Sequence, residues 1–246
     1  MARIDYDDPT AAAYKAVREL PREGLSEWRE AVRRHVRPAP GMTLVDLGAG
    51  TGQFATAFGD WFDLDVIAVE PSDAMRARIP ASVHALAGAA DALPLADASV
   101  DAVWLSLVLH HIPDLEAAAH EIRRVLRPGG AVLVRQGFPG RLDGVEVVRW
   151  FPETARSVDT YPSVEETCAA FAAAGLRQLA LEQVSETYAG SLADFLDALD
   201  TFRAADTTMR GLSDDEFLRG KERLRAAVSA GSAEPRTNRL DLVVLR

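Results

Sequence analysis

Three glycines at every second position follow a short apolar run, in the segment Val45-Asp46-Leu47-Gly48-Ala49-Gly50-Thr51-Gly52-Gln53-Phe54. Gly48 and Gly50 allow the backbone to turn sharply and to approach a ligand with no Cβ in the way. Asp46 places a negative charge where an ammonium or sulfonium group would be attracted and a phosphate repelled. A dinucleotide-binding G-x-G-x-x-G pattern starting at Gly48 needs glycine at position 53, where Gln53 stands. The segment therefore favours a positively charged ligand over a pyrophosphate.

Two further acids follow at intervals that suit a nucleoside. Glu70 closes the β-type run Val66–Val69, 20 residues after Gly50, where an acid can accept hydrogen bonds from ribose hydroxyls. Asp91 lies in Gly88–Leu95 and, with neighbouring backbone amides, could bracket an adenine edge. Taken singly, each acid is equally consistent with an ordinary solvated turn. Their order after the glycine turn favours nucleoside binding.

Two adjacent histidines, His110 and His111, follow a later apolar run. Histidine suits proton transfer near neutral pH, so either residue could serve an acceptor that must lose a proton, with His111 the stronger candidate. The alternative is that both cap or pack the helix that begins near Asp114. Adjacent histidines point to different faces, so we expect no metal site here.

These residues fall at the ends of alternating strands and helices. The predicted strands are Thr43–Leu47, Val66–Glu70, Val83–Ala87, Val100–Leu107 and Ala131–Arg135. The predicted helices between them are Gln53–Gly59, Ser72–Arg78 and Leu115–Leu126. Several of the strands lack polar alternation, as expected when both faces of a parallel sheet are covered. The pattern predicts a doubly wound α/β fold.

The flanking segments predict one domain over residues 1–246. Residues 1–40 would form an N-terminal lid with a helix at Leu25–Val36, and residues 41–136 the ligand-binding core. Residues 137–246 would supply the remaining strands, with helices at Ser191–Ala205 and Ser213–Ala230 forming a cap at about 191–232. Ser163 and Glu166 predict a capping box at the start of another helix.

Composition narrows the class of protein. The chain has 246 residues, of which 48% are hydrophobic and 26% charged, and a net charge of −10. This charge argues against nucleic-acid partners and anionic membrane surfaces. Cys168 is the single cysteine, so no internal disulfide can form. Met1–Asp8 does not read as a secretory signal, and no apolar run reaches about 20 residues, so we expect a cytoplasmic protein without a membrane span.

The motifs together resemble the class I S-adenosylmethionine-dependent methyltransferases, in their ubiquinone-biosynthesis-like, or type 11, branch. The resemblance spans about Met42 to Gln136. It rests on the three blocks above and on Asp101-Ala102-Val103-Trp104, Leu109-His110-His111-Ile112-Pro113-Asp114 and Glu121-Ile122-Arg123-Arg124-Val125-Leu126-Arg127-Pro128-Gly129-Gly130. It implies a Rossmann-like, mostly parallel seven-stranded sheet with a helical cap.

The resemblance also implies a donor site for S-adenosylmethionine, with S-adenosylhomocysteine as product. The implied cofactor-binding residues are Tyr14, Asp46, Gly48, Ala49, Gly50, Glu70, Pro71, Ala90, Asp91, Ser106 and Leu107. Glu70 would hold the ribose, Ala90 and Asp91 would flank adenine, and Ser106 and Leu107 would lie against the methionine moiety. Tyr6 and Tyr14 resemble tyrosines that close over the cofactor. The family often carries an acid where this chain has Ala89, so Asp91 or backbone groups would take over that contact.

The resemblance predicts methyl transfer to O, N or C of a small metabolite, in specialised metabolism, by a monomer or homodimer. His110 and His111 would face the acceptor. One alternative is an enzyme of the same fold that catalyses a non-methylating reaction such as cyclisation. Another is a non-catalytic subunit, which the intact glycine turn with Asp46 and Glu70 disfavours. A nicotinamide dehydrogenase is disfavoured by Gln53.

Overall fold

The structure is a computed structural model that describes residue 11 and residues 20–188, 190–231 and 236–246. Tyr6 and Tyr14, the two tyrosines predicted to close over a cofactor, lie outside the described residues. None of the helices formed by the described residues combines the length and the hydropathy that a bilayer crossing requires.

The centre of the molecule is a seven-stranded sheet, and its strand order is β3-β2-β1-β4-β5-β7-β6. The strands are β1 (Thr43–Leu47), β2 (Asp65–Val69), β3 (His84–Leu86), β4 (Val100–Ser106), β5 (Leu126–Gln136), β6 (Gln178–Thr187) and β7 (Thr237–Leu245). Strands β1 to β5 pair in parallel, whereas β7 runs antiparallel to both β5 and β6. The predicted mostly parallel, doubly wound sheet is confirmed.

Helices cover both faces of the sheet. They are α1 (Ser26–Val36), α2 (Gln53–Phe62), α3 (Asp73–Arg76), α4 (Leu115–Val125), α5 (Glu146–Trp150), α6 (Ala155–Val158), α7 (Val164–Ala173), α8 (Leu192–Ala205), α9 (Thr207–Arg210) and α10 (Asp214–Ser229). Short 3₁₀ turns occupy Arg22–Leu25, Leu109–His111 and Pro152–Thr154. The predicted capping box of Ser163 and Glu166 is present at the start of α7.

The apolar strands β1 and β4 form the middle of the sheet because side chains on both of their faces are buried. Val45 and Val103 belong to a core on one face, whereas Leu44 and Trp104 belong to a core on the other. Successive residues of a strand point to opposite faces, so an unbroken apolar run fits a strand covered on both sides. Asp46 stands opposite Trp104 in this pairing and is buried among the apolar residues.

The helices α8, α9 and α10 are inserted between β6 and β7, in the segment predicted to form the cap, and we refer to them as the cap. They share a third apolar core with α5, which includes Phe151, Leu199 and Phe217. Gly220 of α10 packs directly on Phe151, since a Cβ there would lie 2.1 Å from the ring. The cap is therefore held by its own apolar core, separate from the two cores of the sheet.

Several element boundaries differ from the prediction. Helix α2 continues past Gly59 to Phe62, and it ends at Asp63, which adopts a left-handed conformation with φ +53°. Strand β5 begins at Leu126 because this residue pairs with Val100, ahead of an irregularity in the ladder. Helix α4 ends at Val125, and residues 127–130 therefore belong to strand β5.

Candidate active site

The glycine turn connects β1 to α2 at the carboxyl end of the parallel strands. Gly48, Gly50 and Gly52 all have positive φ, at +72°, +57° and +82°, a region that side chains with a Cβ rarely adopt. The backbone N–H of Gly48 donates to the carbonyl oxygen of Val69 at 2.8 Å, which ties the turn to β2. A Cβ at Gly48 would lie 2.5 Å from a methyl group of Val108, so this glycine also permits close packing.

The carboxylate of Glu70 lies at the end of β2, where the chain turns toward α3. One oxygen, Oε2, accepts from the backbone N–H of Gly50 at 2.8 Å, and Oε1 accepts from that of Ser72 at 2.9 Å. Burial raises the pKa of Glu70, while these two amides and the guanidinium of Arg76 act in the opposite direction. A carboxylate has about four acceptor positions, so each oxygen of Glu70 keeps one for a ligand hydroxyl.

The carboxylate of Asp46 lies beneath the glycine turn and is almost completely buried. Its Oδ2 accepts a 2.9 Å hydrogen bond from the backbone N–H of Ala55, in the first turn of α2. Burial, together with the nearby charge of Glu70, raises the pKa of Asp46 to about 7, although the hydrogen bond from Ala55 acts in the opposite direction. A cation entering this position would favour the ionised carboxylate.

A broad cleft of about 590 Å³ runs along the edge of the sheet beside Glu70. It brings together eight of the residues predicted to bind the cofactor, namely Gly48, Gly50, Glu70, Pro71, Ala90, Asp91, Ser106 and Leu107. His111 also lines this cleft, which we call the donor cleft. Ala89 is among the lining residues as well, at the place where the related enzymes often carry an acid.

A smaller cavity of about 60 Å³ extends from the donor cleft beneath the glycine turn, and we call it the tail cavity. Asp46 and Ala49, the two remaining predicted residues that the structure describes, line it. Gly48, Gly50, Ser106 and Leu107 line both the tail cavity and the donor cleft. The described residues of the predicted donor site therefore form one continuous surface.

The tail cavity also contains a buried ion pair that the sequence analysis missed. The guanidinium of Arg135 contacts Oε2 of Glu186 through Nη2 at 2.5 Å and through Nε at 3.1 Å. Its Nη1 donates to the hydroxyl of Ser106 at 2.9 Å. Arg135 ends the apolar run of β5, and a charged residue in a strand covered on both faces is a signal that could have pointed to this pair.

The carboxylate of Glu186 is held by two further donors. Trp28 of α1 donates to Oε2 through its indole N–H at 2.9 Å, and Asn238 of β7 donates to Oε1 at 2.9 Å. The side-chain oxygen of Asn238 in turn accepts from the backbone N–H of Glu146, at the start of α5. A chain of hydrogen bonds therefore connects Ser106 in the donor cleft to the helix that carries the cap core.

A third cavity, of about 90 Å³, lies between the sheet edge and the cap side of the molecule, and we call it the acceptor cavity. Leu107 and His111 line both this cavity and the donor cleft. His110 and Tyr161 also line it, with their rings stacked at 4.1 Å and 8° apart in plane. The two predicted histidines thus lie at the boundary of the cavity, and His111 is the one shared with the donor cleft.

Leu107 is the residue at which all three cavities meet. It follows β4, and its φ of +54° is unusual for a residue with a branched side chain. Its backbone N–H donates to the carbonyl oxygen of Arg135 at 2.8 Å, which holds this conformation. Unfavourable backbone conformations of this kind cluster at ligand sites, where the surrounding structure fixes them.

The aromatic residues of the second half separate into two groups. Tyr161 lines the acceptor cavity and Tyr188 the tail cavity. Five others, Trp150, Phe151, Phe195, Phe202 and Phe217, pack inside the cap core. In the part of the chain that the structure describes, no group of three or more His, Cys, Asp or Glu side chains is arranged to hold a metal ion.

Comparison with known proteins places this geometry in a family. A family described as a methyltransferase domain matches residues 45–134. A malonyl-[acyl-carrier protein] O-methyltransferase of Erwinia pyrifoliae is 32% identical over 190 residues, which cover 73% of this chain and 67% of that protein. The chain belongs to the class I S-adenosylmethionine-dependent methyltransferases.

Two further matches differ in how much of the chain they cover. A ubiquinone/menaquinone biosynthesis C-methyltransferase of Rubrivivax gelatinosus is 38% identical over 128 residues, or 50% of this chain. The match spans about half the length of that relative, at 51%. A crystal structure from Anabaena variabilis, described as a candidate methyltransferase of antibiotic biosynthesis, has a TM-score of 0.72 at 21% identity. It covers 90% of this chain and 97% of its own.

Proposed function

We propose that this protein transfers the methyl group of S-adenosylmethionine to an oxygen, nitrogen or carbon atom of a small metabolite. The observation that carries the proposal is the shared wall of two cavities. The cleft that contains Glu70 and the glycine turn adjoins the acceptor cavity at Leu107 and His111. A donor and an acceptor bound on either side of these residues would be neighbours.

The residues of the donor cleft fit an adenosyl sulfonium. The free acceptor positions of Glu70 suit two ribose hydroxyls, and Asp91 with Ala90 would flank the adenine. The tail cavity carries carboxylates at Asp46 and Glu186 and a guanidinium at Arg135. Groups of both signs suit an amino-acid end that has an ammonium and a carboxylate.

When bound, S-adenosylmethionine supplies a methyl carbon on a positively charged sulfur, already activated for in-line displacement. The protein then has to hold the acceptor atom on the line of attack and exclude water, and such positioning can supply much of the rate acceleration. Where the acceptor is an O–H or N–H group, His111 would take up its proton, since it lines both cavities. We propose His110 as a second acceptor-facing residue, held by its stack on Tyr161.

The test is a screen of small metabolites with an isotopically labelled methyl donor, read by mass spectrometry. We expect one labelled methyl group on the acceptor for each S-adenosylhomocysteine formed. Conversion of a compound without S-adenosylhomocysteine would show a non-methylating reaction instead. Failure of the purified protein to bind S-adenosylhomocysteine in calorimetry would contradict the assignment of the donor cleft, and with it the whole proposal.

The setting of the reaction is a further part of the proposal. We propose that the protein acts in the cytoplasm, in specialised metabolism, as a single methyltransferase domain that is monomeric or a homodimer. Its net charge of −10 supports small-molecule rather than nucleic-acid substrates. Size-exclusion chromatography with light scattering would decide between monomer and dimer.

A further inference from the structure

More of the accessible surface of the acceptor cavity is apolar than polar. Aliphatic side chains contribute to it from the segment around α5, from α6 and from β7, namely those of Leu142, Val145, Val147, Val148, Val158 and Leu240. Apolar walls with a few polar groups are the usual design of a site that binds a small organic molecule. This cavity therefore favours an acceptor that is largely hydrocarbon.

The charges around the acceptor cavity are unfavourable to an anion. Among the described residues that line it there is no arginine or lysine, and one carboxylate, Asp206, is present. An open groove next to it shares His110 and Tyr161 with the cavity. Four carboxylates line this groove, those of Asp114, Glu116, Asp159 and Glu166. A carboxylate or phosphate in the cavity would be desolvated without a facing cation, which is costly.

One polar group of the cavity wall lacks a partner among the described residues, and that group is Oε1 of Gln136. Gln136 ends β5 and is 1% exposed, and its Nε2 donates a 3.3 Å hydrogen bond to the carbonyl oxygen of Gly137. The Oε1 atom is buried and receives no hydrogen bond. Buried acceptors in proteins are nearly always paired, so an unpaired one at a ligand cavity indicates that a ligand supplies the donor.

The other amide on this wall is already committed. The Nδ2 of Asn238 donates to Glu186, and its Oδ1 accepts from the backbone N–H of Glu146. The hydroxyl of Thr154 donates to the carbonyl oxygen of Phe151, and that of Thr208 donates to Asp206. Unlike these neighbouring polar groups, Oε1 of Gln136 has no hydrogen-bond donor among the described residues.

We propose that the acceptor is an uncharged, largely apolar molecule that carries an O–H or N–H group in addition to the atom that is methylated, and that Gln136 selects it by accepting a hydrogen bond from that additional group. This inference rests on the proposed function, because it assigns the cavity beyond Leu107 and His111 to the methyl acceptor. Gln136 is a specificity-determining residue in this proposal. It discriminates against carboxylates, which present acceptors in place of a donor.

The experiment uses the 246-residue chain saturated with S-adenosylhomocysteine and three probes of similar size. Phenol carries the hydrogen-bond donor, toluene replaces the hydroxyl by a methyl group, and benzoate carries the negative charge. Dissociation constants are measured by ligand-observed NMR for the wild type and for Gln136→Met, which keeps the length of the side chain and removes its amide. Gln183→Met, at an exposed position of β6, is the matched control.

We expect phenol to bind the wild type about tenfold or more tightly than benzoate, because an unpartnered charge must be desolvated. The ratio of phenol affinity to toluene affinity should fall about fivefold to tenfold in Gln136→Met and stay unchanged in Gln183→Met. Benzoate binding as tightly as phenol would overturn the proposal. So would an affinity ratio that survives Gln136→Met, or no phenol binding to the loaded wild type.

The two levels of the proposal fail in different ways. A protein that does not bind S-adenosylhomocysteine contradicts the proposed function before any probe is added. A protein that binds it normally and prefers benzoate contradicts the acceptor assignment alone. If Gln136→Met does not fold, the comparison of phenol with benzoate on the wild type still decides the question of charge.

Discussion

The backbone N–H of Gly50 donates a 2.8 Å hydrogen bond to Oε2 of Glu70, and this bond joins the turn after β1 to the turn after β2. The acid proposed to hold the ribose therefore also fixes the glycine turn that lines the tail cavity. The other oxygen of Glu70, Oε1, accepts a hydrogen bond from the backbone N–H of Ser72, the residue before α3. Both ends of the donor cleft thus depend on one carboxylate.

Replacement of Glu70 by alanine should weaken S-adenosylhomocysteine binding by about 1–3 kcal/mol, because hydrogen bonds to a charged group are lost. Isothermal titration calorimetry measures this directly. Glu222→Ala, at an exposed position of α10, is the control and should bind as the wild type does. Equal affinity of Glu70→Ala and the control would remove Glu70 from the donor site.

Alanine at Gly48 should destabilise the fold through two separate effects. A positive φ costs a residue with a Cβ roughly 1–2 kcal/mol, and overlap with Val108 adds about 1–3 kcal/mol. Urea denaturation of Gly48→Ala, Val108→Ala and the double variant separates the two. We expect the double variant to recover the overlap cost and to retain the backbone cost. If the losses in the free energy of unfolding of the two single variants simply add in the double variant, the close packing of Gly48 on Val108 is contradicted.

Binding should release protons near neutral pH because of Asp46. Burial raises the pKa of this carboxyl to about 7, so below that pH it is mostly protonated, whereas a bound ammonium favours the ionised form. Affinity for S-adenosylhomocysteine should fall as the pH drops below 7, by at most about tenfold per pH unit.

Calorimetry at about pH 6.5, just below the raised pKa of about 7, where more than half of the free carboxyl is protonated, would measure the protons released when it is run in two buffers of different ionisation enthalpy. Asp46→Asn should release fewer protons and show a flatter pH dependence. The part that persists belongs to other groups, including Glu70, whose pKa burial also raises. Proton uptake on binding to the wild type would contradict the prediction.

Replacement of His111 by asparagine should lower turnover by about 10²- to 10⁴-fold when the acceptor is an O–H or N–H group, because general base catalysis contributes that much. Binding of S-adenosylhomocysteine should change far less. Steady-state rates as a function of pH check this, with His120→Asn, an exposed position of α4, as control. Full activity of His111→Asn would show that the residue does not carry the proton.

Removal of one partner of the ion pair between Arg135 and Glu186 should reduce the stability of the fold more than replacement of both partners. Methionine at position 135 leaves the carboxylate of Glu186 buried without its cation, at a cost of about 3–5 kcal/mol. Glutamine at position 186, added to the first change, should recover part of this loss. Urea denaturation of the two single variants and the double variant measures the coupling, and additive losses would contradict it.

The cofactor-binding half of the fold could be predicted from sequence because its signals are local. The glycine turn, the apolar run of β1 and the acid at position 70 each impose a conformation over a few residues. The strand β1 was predicted at its observed bounds, Thr43–Leu47. The order of these signals along the chain then predicts the parallel sheet and the edge at which the cleft lies.

The ion pair of the tail cavity and the acceptor side could not be predicted in the same way because their contacts are long-range. Arg135 and Glu186 are 51 residues apart, and Trp28 reaches Glu186 across 158 residues. The unpaired oxygen of Gln136 is a property of the packed structure, since the sequence does not show which amides find partners. The stack of Tyr161 on His110 likewise depends on the path of the chain after β5.

The position of the cap along the chain determines which parts of the site a replacement of the cap would affect. Helices α8 to α10 leave the sheet after β6 and return at β7, whereas the donor residues lie on the loops after β1, β2, β3 and β4. A replacement of residues 192–229 would therefore alter one wall of the acceptor cavity and leave the loops of the donor cleft intact. In this architecture a change in the cap alone could alter which acceptor is bound, while the same donor cleft is kept.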